Sequence, residues 1–214
     1  MSIVEVGTFL LKGLGTTLAT VVAATLLALV IAFLVGILRT TRWKILNAIL
    51  TIYVEVFRGS SVLVQLFWIF FVFPFFNIKL SAYVAAVLAI GLNYGAYGSE
   101  VVRSAICSVP KTQLEACDAL NINGFLRMRR VVLPQAIVVM MPSFGNLQIE
   151  LIKATSLVSM VTLSDLTYYA TVLNNRTMQT TTIYLALLVI YYLLTRPFAF
   201  GTKKLEKKLS IWRA

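Results

Sequence analysis

The chain has 214 residues, of which 59% are hydrophobic and only 13% charged, and its formal net charge is +11. A soluble domain carries roughly 25% charged residues, so this composition belongs to a protein that presents apolar surface to lipid. Two cysteines, no histidine and no glycine-rich phosphate loop exclude a disulfide scaffold, a usual zinc site and nucleotide hydrolysis on this chain.

The positive charge is clustered. Arg39, Arg42 and Lys44 flank one apolar stretch, Arg127, Arg129 and Arg130 another, and Lys203, Lys204, Lys207, Lys208 and Arg213 crowd the last residues. Basic clusters beside apolar spans are the positive-inside signature, which points to membrane lipid with an anionic inner leaflet and to no nucleic acid.

In chain order, residues 2–12 mix apolar side chains with Glu5 and Lys12 and predict a short amphipathic helix along the outer membrane surface. They lack the basic start and small-residue cleavage site of a signal peptide, so the first apolar segment is expected to be retained. Leu14–Leu38 is the first span, closed by Arg39; Thr16, Thr17, Thr20 and Thr25 are tolerable in it because threonine bonds back to helix carbonyls. Residues 45–76 are apolar but interrupted by Glu55, Arg58, Gly59, Ser60 and Ser61. That pattern predicts a helix from the cytoplasmic side that loosens near Gly59 and spans over 61–73, with Pro74 at the outer end. Residues 82–102 are the next span and carry Asn93, Tyr94, Tyr97 and Glu100. Glu55 with Arg58, and Glu100 with Arg103, lie three apart on a helix face and are expected to form structural ion pairs.

Residues 112–134 are a polar, basic island. Thr112-Gln113-Leu114-Glu115 has the form of a capping box, the following residues to Leu120 favour a helix of about two turns, and Asn121 suits the left-handed residue that ends one. Asn123 and Gly124 then open a second helix. A helix this short is unstable alone in water and needs a socket.

Residues 131–151 predict a fourth span bent by Pro134 and Pro142, with Asn146, Gln148, Glu150 and Lys153 crowding its outer half and Glu150 spaced to pair with Lys153. Residues 155–182 are too polar for a lone span and predict a broken or re-entrant stretch at the outer side, with Asp165 and Arg176 in water or paired. Residues 183–200 are the last span, interrupted by Arg196-Pro197 before a basic cytoplasmic tail over 201–214. The fold class is therefore all-α: an integral membrane helical bundle of about five transmembrane helices, N-terminus outside and C-terminus cytoplasmic. It forms one domain over 1–214, with its core at 8–200 and a cytoplasmic loop at 104–130.

Polar groups inside apolar spans face a bundle interior or a pathway. Gln65, Asn93, Tyr97, Glu100, Asn146, Gln148 and Glu150 are the candidates for a substrate pathway, with helix–helix hydrogen bonding as their alternative work.

Glu115-Ala116-Cys117, Asn121, Val131 and Leu133-Pro134 fall at the spacing of the EAA loop of ATP-binding-cassette importer permeases. Cys117, Asn121 and Val131 stand where that family has alanine, glycine and isoleucine, all small changes in shape. Tyr53-Val54-Glu55-Val56-Phe57-Arg58-Gly59, Leu63-Val64-Gln65-Leu66, Gly95-Ala96-Tyr97 and Lys153-Ala154-Thr155-Ser156-Leu157-Val158-Ser159 extend the likeness. The chain resembles the type I, polar amino acid uptake branch of that family from about residue 8 to about residue 200. The resemblance implies a multi-pass permease of the bacterial cytoplasmic (inner) membrane that is not itself an enzyme. It implies that Glu115, Ala116, Cys117, Asp118, Ala119, Leu120, Asn121 and Gly124 dock into a cytoplasmic ATPase dimer, which would hold the ATP and Mg, with no cofactor on this chain. A second permease, identical or homologous, and a periplasmic or surface solute-binding protein would complete the assembly. Histidine, basic amino acids, glutamine, opines and ectoine-like solutes all remain open as substrates. An ion-coupled secondary transporter is the alternative; it predicts an inverted internal repeat, which the sequence does not display.

Overall fold

Among the described residues every regular element is helical. The computed structural model describes residues 3–41 and 43–210, with side chains over 5–41 and 43–204. Ser2, Arg42, Lys207, Lys208 and Arg213, used above, lie outside the described side chains. Helix α1 (Ile3–Leu10) passes through a 3-10 turn (Leu11–Gly13) into α2 (Leu14–Leu38). Then come α3 (Lys44–Gly59), α4 (Val62–Phe67), α5 (Ala82–Cys107), α6 (Lys111–Ala119), α7 (Gly124–Arg127), α8 (Leu133–Ala154), α9 (Leu166–Thr177) and α10 (Thr180–Ser210).

The most extensive contact in the bundle is between α2 and α5. On α2, Ala24, Ala28, Ala32 and Gly36 recur every four residues on the buried face, while Leu18, Val22, Leu26, Val30 and Leu34 are exposed. Small residues inside and large ones outside suit lipid, where burying a leucine gains little and close backbone approach gains much. Gly91, Gly95 and Gly98 of α5 meet this row. A Cβ on Gly91 would lie 2.6 Å from the Leu27 side chain, and one on Gly95 or Gly98 would lie 2.8 Å from Ile31 or Ala32. Partner numbers rise together along both helices, from the Tyr83 hydroxyl on the Ala19 carbonyl to Gly36 on Val102, so α2 and α5 run parallel.

Helix α8 runs against both. Gln148 bonds Thr25, Phe144 stacks on Phe33 at 5.9 Å, and Val132, Ala136 and Met140 pack on Val102, Ala105 and Val109. Helix α10 is antiparallel to α8, with Tyr191 beside Thr155 just past the end of α8 and Thr202 against Gly145 further on. Three stretches are long and apolar enough to cross a bilayer, Glu5–Leu38, Gly124–Val161 and Thr180–Lys204, and α3 with Val62–Phe76 makes a fourth as a pair bent by 106°. Helix α5 has 26 residues, about 39 Å, and is less apolar because other helices surround it. By length and apolarity the described residues thus hold three crossings, or four with the bent pair, and α5 packs among them.

Three expectations need correction. The first helix does not lie as a separate strip: from Glu5 it joins α2 in one 34-residue path, and Val6 and Leu10 are buried against Leu166, Ala170 and Ile183 of α9 and α10. Asp165 is neither in water nor paired with Arg176. It is fully buried as the N-cap of α9, where its Oδ1 accepts the Tyr168 N–H at 2.8 Å. Gly13 makes room for it, since a Cβ there would lie 2.4 Å from the Asp165 carbonyl. Finally, Pro197 does not break the last span; α10 continues through it, because a proline removes one helix bond without forbidding the path. The broken stretch before α10 is present as expected, as a 3-10 segment Thr155–Val161, a left-handed Thr162 and α9.

Gly95→Leu should overpack the α2–α5 seam at a cost of ~1–3 kcal/mol, read as a lowered thermal midpoint of the detergent-purified chain. Gly15→Ala, with nothing within 4 Å, should instead raise it, by up to about 1 kcal/mol of stability, because alanine favours the helix. Burial pushes the Asp165 carboxyl up to about 6. The folded chain then holds this proton more tightly than the unfolded chain, so stability from this group falls as pH rises through about 6. Asp165→Asn keeps the capping oxygen and should flatten that part of the midpoint-against-pH curve; an unchanged slope would exclude Asp165 as its source.

Candidate functional site

Beyond α5 the chain leaves the bundle and forms α6 and α7. The Thr112–Glu115 capping box is not made. Pro110 holds the N-cap position, its carbonyl takes the Gln113 N–H at 3.1 Å, and Thr112 already lies within the helix. Glu115 is consequently uncommitted: it is exposed and makes no hydrogen bond or ion pair among the described residues. The other end forms as its sequence predicts. Asn121 is left-handed at φ 52°, and the Asn121 and Ile122 N–H groups bond the Asp118 and Cys117 carbonyls at 3.0 and 2.9 Å, a Schellman closure. The Asn123 side chain caps α7 through the Leu126 N–H at 2.8 Å.

Of the eight expected docking residues, Glu115, Ala116, Asp118, Ala119, Leu120, Asn121 and Gly124 are exposed, whereas Cys117 turns inward and is buried. Leu120 and Phe125 are 74% and 75% exposed, an apolar pair outside the bundle that sequence patterning had only half identified. Arg127 pairs with Asp118 at 2.5 Å, which ties α7 to α6.

The break between α3 and α4 is held by side chains predicted as pathway residues. Gln65 Nε2 donates to the Phe57 carbonyl at 2.9 Å and to Ser60 Oγ at 2.7 Å. Asn93 Nδ2 donates to the same Phe57 carbonyl at 2.8 Å and to Gln65 Oε1 at 3.1 Å. The Tyr97 hydroxyl donates to the Arg58 carbonyl at 3.1 Å. A helix end inside a membrane leaves carbonyls with no water to bind, and these three side chains supply the missing donors.

The Glu55–Arg58 ion pair does not form. Glu55 is exposed, and the Arg58 guanidinium lies over the Tyr97 ring at 5.2 Å, because the break turns the end of α3 toward α5. The Glu100–Arg103 pair does form and has a second cation: Arg39, closing α2, reaches Glu100 at 2.7 Å. Spacing could not show Arg39 as a partner 61 residues away; the parallel α2–α5 seam brings it to the same depth. An open groove of ≈ 490 Å³ lies beside this cluster, with Arg58, Tyr97, Glu100, Ser104 and Ser108 on one side and Met140 and Ser143 of α8 on the other.

The remaining candidates separate. Gln148 is tied to Thr25, its Nε2 donating at 2.9 Å. Asn146 and Glu150 share an exposed stripe of α8 with Val139, Ser143 and Lys153. Glu150 and Lys153 do not pair; both stay exposed, where such an i, i+3 pair is worth little. Among the described residues no group of His, Cys, Asp and Glu could hold a metal ion.

Residues 28–211 match the family of binding-protein-dependent transport system inner membrane components. The chain is 43% identical over 190 residues to a probable amino-acid ABC transporter permease of Sinorhizobium fredii, covering 86% of this chain and 80% of that one. It is 34% identical over 198 residues to the L-cystine transport system permease of Bacillus subtilis, covering 92% and 85%. Its fold superposes on the crystal structure of an amino acid ABC transporter with histidines at a TM-score of 0.89, with 28% identity and 97% of each chain covered.

Asn93→Leu combined with Gln65→Leu should leave the Phe57 carbonyl without a donor and cost ~1–3 kcal/mol, more than either change alone. The check is the unfolding midpoint of the three variants in detergent, with Ser60→Ala at the exposed edge nearly silent.

Proposed function

Because this chain belongs to the family of binding-protein-dependent transport system inner membrane components and is a permease subunit of an ABC importer, we propose that it moves a polar amino acid or an amino-acid-like solute into the cell, driven by a separate ATPase seated on α6. The observation that carries the reading is the exposed α6, closed at its far end, with Glu115 spent on no internal contact. Glu115 would meet a basic group of the ATPase, and Ala116, Ala119 and Leu120 would fill its socket beside Asp118, Asn121 and Gly124. ATP and Mg belong to that partner.

The end of the bundle that carries Arg39, Arg103, Arg127, Arg129, Arg130, Lys203 and Lys204 faces the cytoplasm, which leaves the start of α1 outside and the end of α10 inside, in the bacterial inner membrane. A second permease, identical or homologous, covers the open stripe of α8, where Asn146, Glu150 and Lys153 would otherwise meet lipid. The groove beside Arg58, Tyr97 and Glu100 then becomes part of an enclosed pathway. A solute-binding protein delivers substrate at the opposite end. The amino-acid class follows from the names of the relatives, and the paired charges and hydroxyls of the groove suit a zwitterion. An ion-coupled carrier would have no use for a short helix projecting from the bundle.

Purification of the tagged full chain from its source membrane in mild detergent should bring an ATPase and a permease partner with it. Reconstituted in liposomes, the assembly should accumulate one or a few members of a mixture of the common amino acids and cystine only when ATP is present. A chain that purifies without an ATPase overturns the reading. Glu115→Ala should keep insertion and ATP hydrolysis while uptake falls about tenfold or more, and normal uptake by that variant would remove Glu115 from the coupling contact.

A further inference from the structure

Displacement of α6 has to reach the membrane, and the chain path offers a poor route, since 22 residues separate Gln113 on α6 from Gln135 on α8. The fold closes that distance. Gln135 Nε2 donates to the Val131 carbonyl at 3.0 Å and to Gln113 Oε1 at 2.7 Å. A carbonyl only accepts, so the Gln135 atom facing Val131 is the amide nitrogen, and the Gln113 atom facing that nitrogen is its oxygen.

The position of this link matters more than its strength. Pro134, the neighbour of Gln135, has no N–H, and the preceding Met128–Val132 turn is π-helical. The root of α8 is thus, like Pro142 further on, a place where a backbone bond is missing and the helix can change direction. Two other contacts bear on the same point: Asp118 with Arg127 joins α6 to α7, and Leu114 and Met128 pack on the apolar cluster around Val132.

We propose that Gln135 is a positioning residue, a strut that makes α6, α7 and the first turn of α8 move as one rigid piece during transport. Bending is thereby displaced up α8 to Pro142, next to Met140 and Ser143 of the groove. This rests on the reading of α6 as the seat of the ATPase.

The test uses the assembly purified with the full chain and the same amino-acid mixture. Gln135→Leu should retain the ATPase and its hydrolysis while ATP-dependent accumulation falls about tenfold. Gln113→Glu with Gln135→Lys, which rebuilds the link as an ion pair, should restore accumulation to within about threefold of the parent. A Gln113→Cys, Gln135→Cys pair, with Cys107→Ser and Cys117→Ala, joined by a thiol-reactive crosslinker long enough to replace the two side chains, should still transport, because a rigid unit tolerates a covalent tie. Unchanged accumulation in Gln135→Leu, failure of the rebuilt pair, or a crosslink that stops transport each overturns the strut. Loss of the ATPase from Gln135→Leu alone would also overturn it, making Gln135 a docking residue. Absence of the ATPase from the parent preparation overturns the underlying reading, and the strut with it.

Discussion

The approach of α2 to α5 is the constraint on which the other placements depend. Lipid offers no gain for hiding leucine, so two membrane helices hold together by backbone proximity, and that needs small residues on both faces at one repeat. Ala24, Ala28, Ala32 and Gly36 provide one face, and Gly91, Gly95 and Gly98 the other. Contacts this tight leave no freedom to slide. Arg39 therefore arrives at the depth of Glu100, and Phe33 at the depth where Phe144 of α8 can stack on it.

Breaks in the spans follow a second rule, that a backbone group freed inside a membrane must find a donor or acceptor in protein. The corner after α3 is served by Gln65, Asn93 and Tyr97. Polar side chains in the apolar spans thus work first for the backbone. Of those at the α3 corner Tyr97 also bounds the groove, because the bend that exposes the Arg58 carbonyl also sets the Arg58 side chain over Tyr97. Tyr97 thus serves both the bent helix and the wall of the groove.

Outside the bundle the balance changes, since water can satisfy the backbone. Helix α6 needs little more than its Schellman closure and the buried Cys117, and its outer surface stays exposed. The failure of the capping box is informative here. A committed Thr112–Glu115 pair would have spent the carboxylate on the local helix, whereas Pro110 starts the helix earlier and leaves Glu115 pointing into solvent.

Several features are local enough to be read from the residues. The limits of α2, the loosening at Gly59, the left-handed Asn121, the cap at Asn123 and the Glu100–Arg103 pair each depend on neighbours within about one turn or on the length needed to cross a bilayer. The EAA-like spacing belongs with them, being a short-range pattern. Partners far apart in the chain were decided by the tertiary structure. Arg39 joins Glu100, Gln148 joins Thr25, Gln135 joins Gln113, and Asp165 disappears beneath Gly13 because helix direction and depth bring them together. The sequence by itself determined the class of protein and the helix ends set by local chemistry, at Gly59, Asn121 and Asn123, since apolar length and capping act along the chain. Which polar groups meet was settled only by packing, because a side chain in a membrane takes whatever donor or acceptor the neighbouring helix sets at its depth.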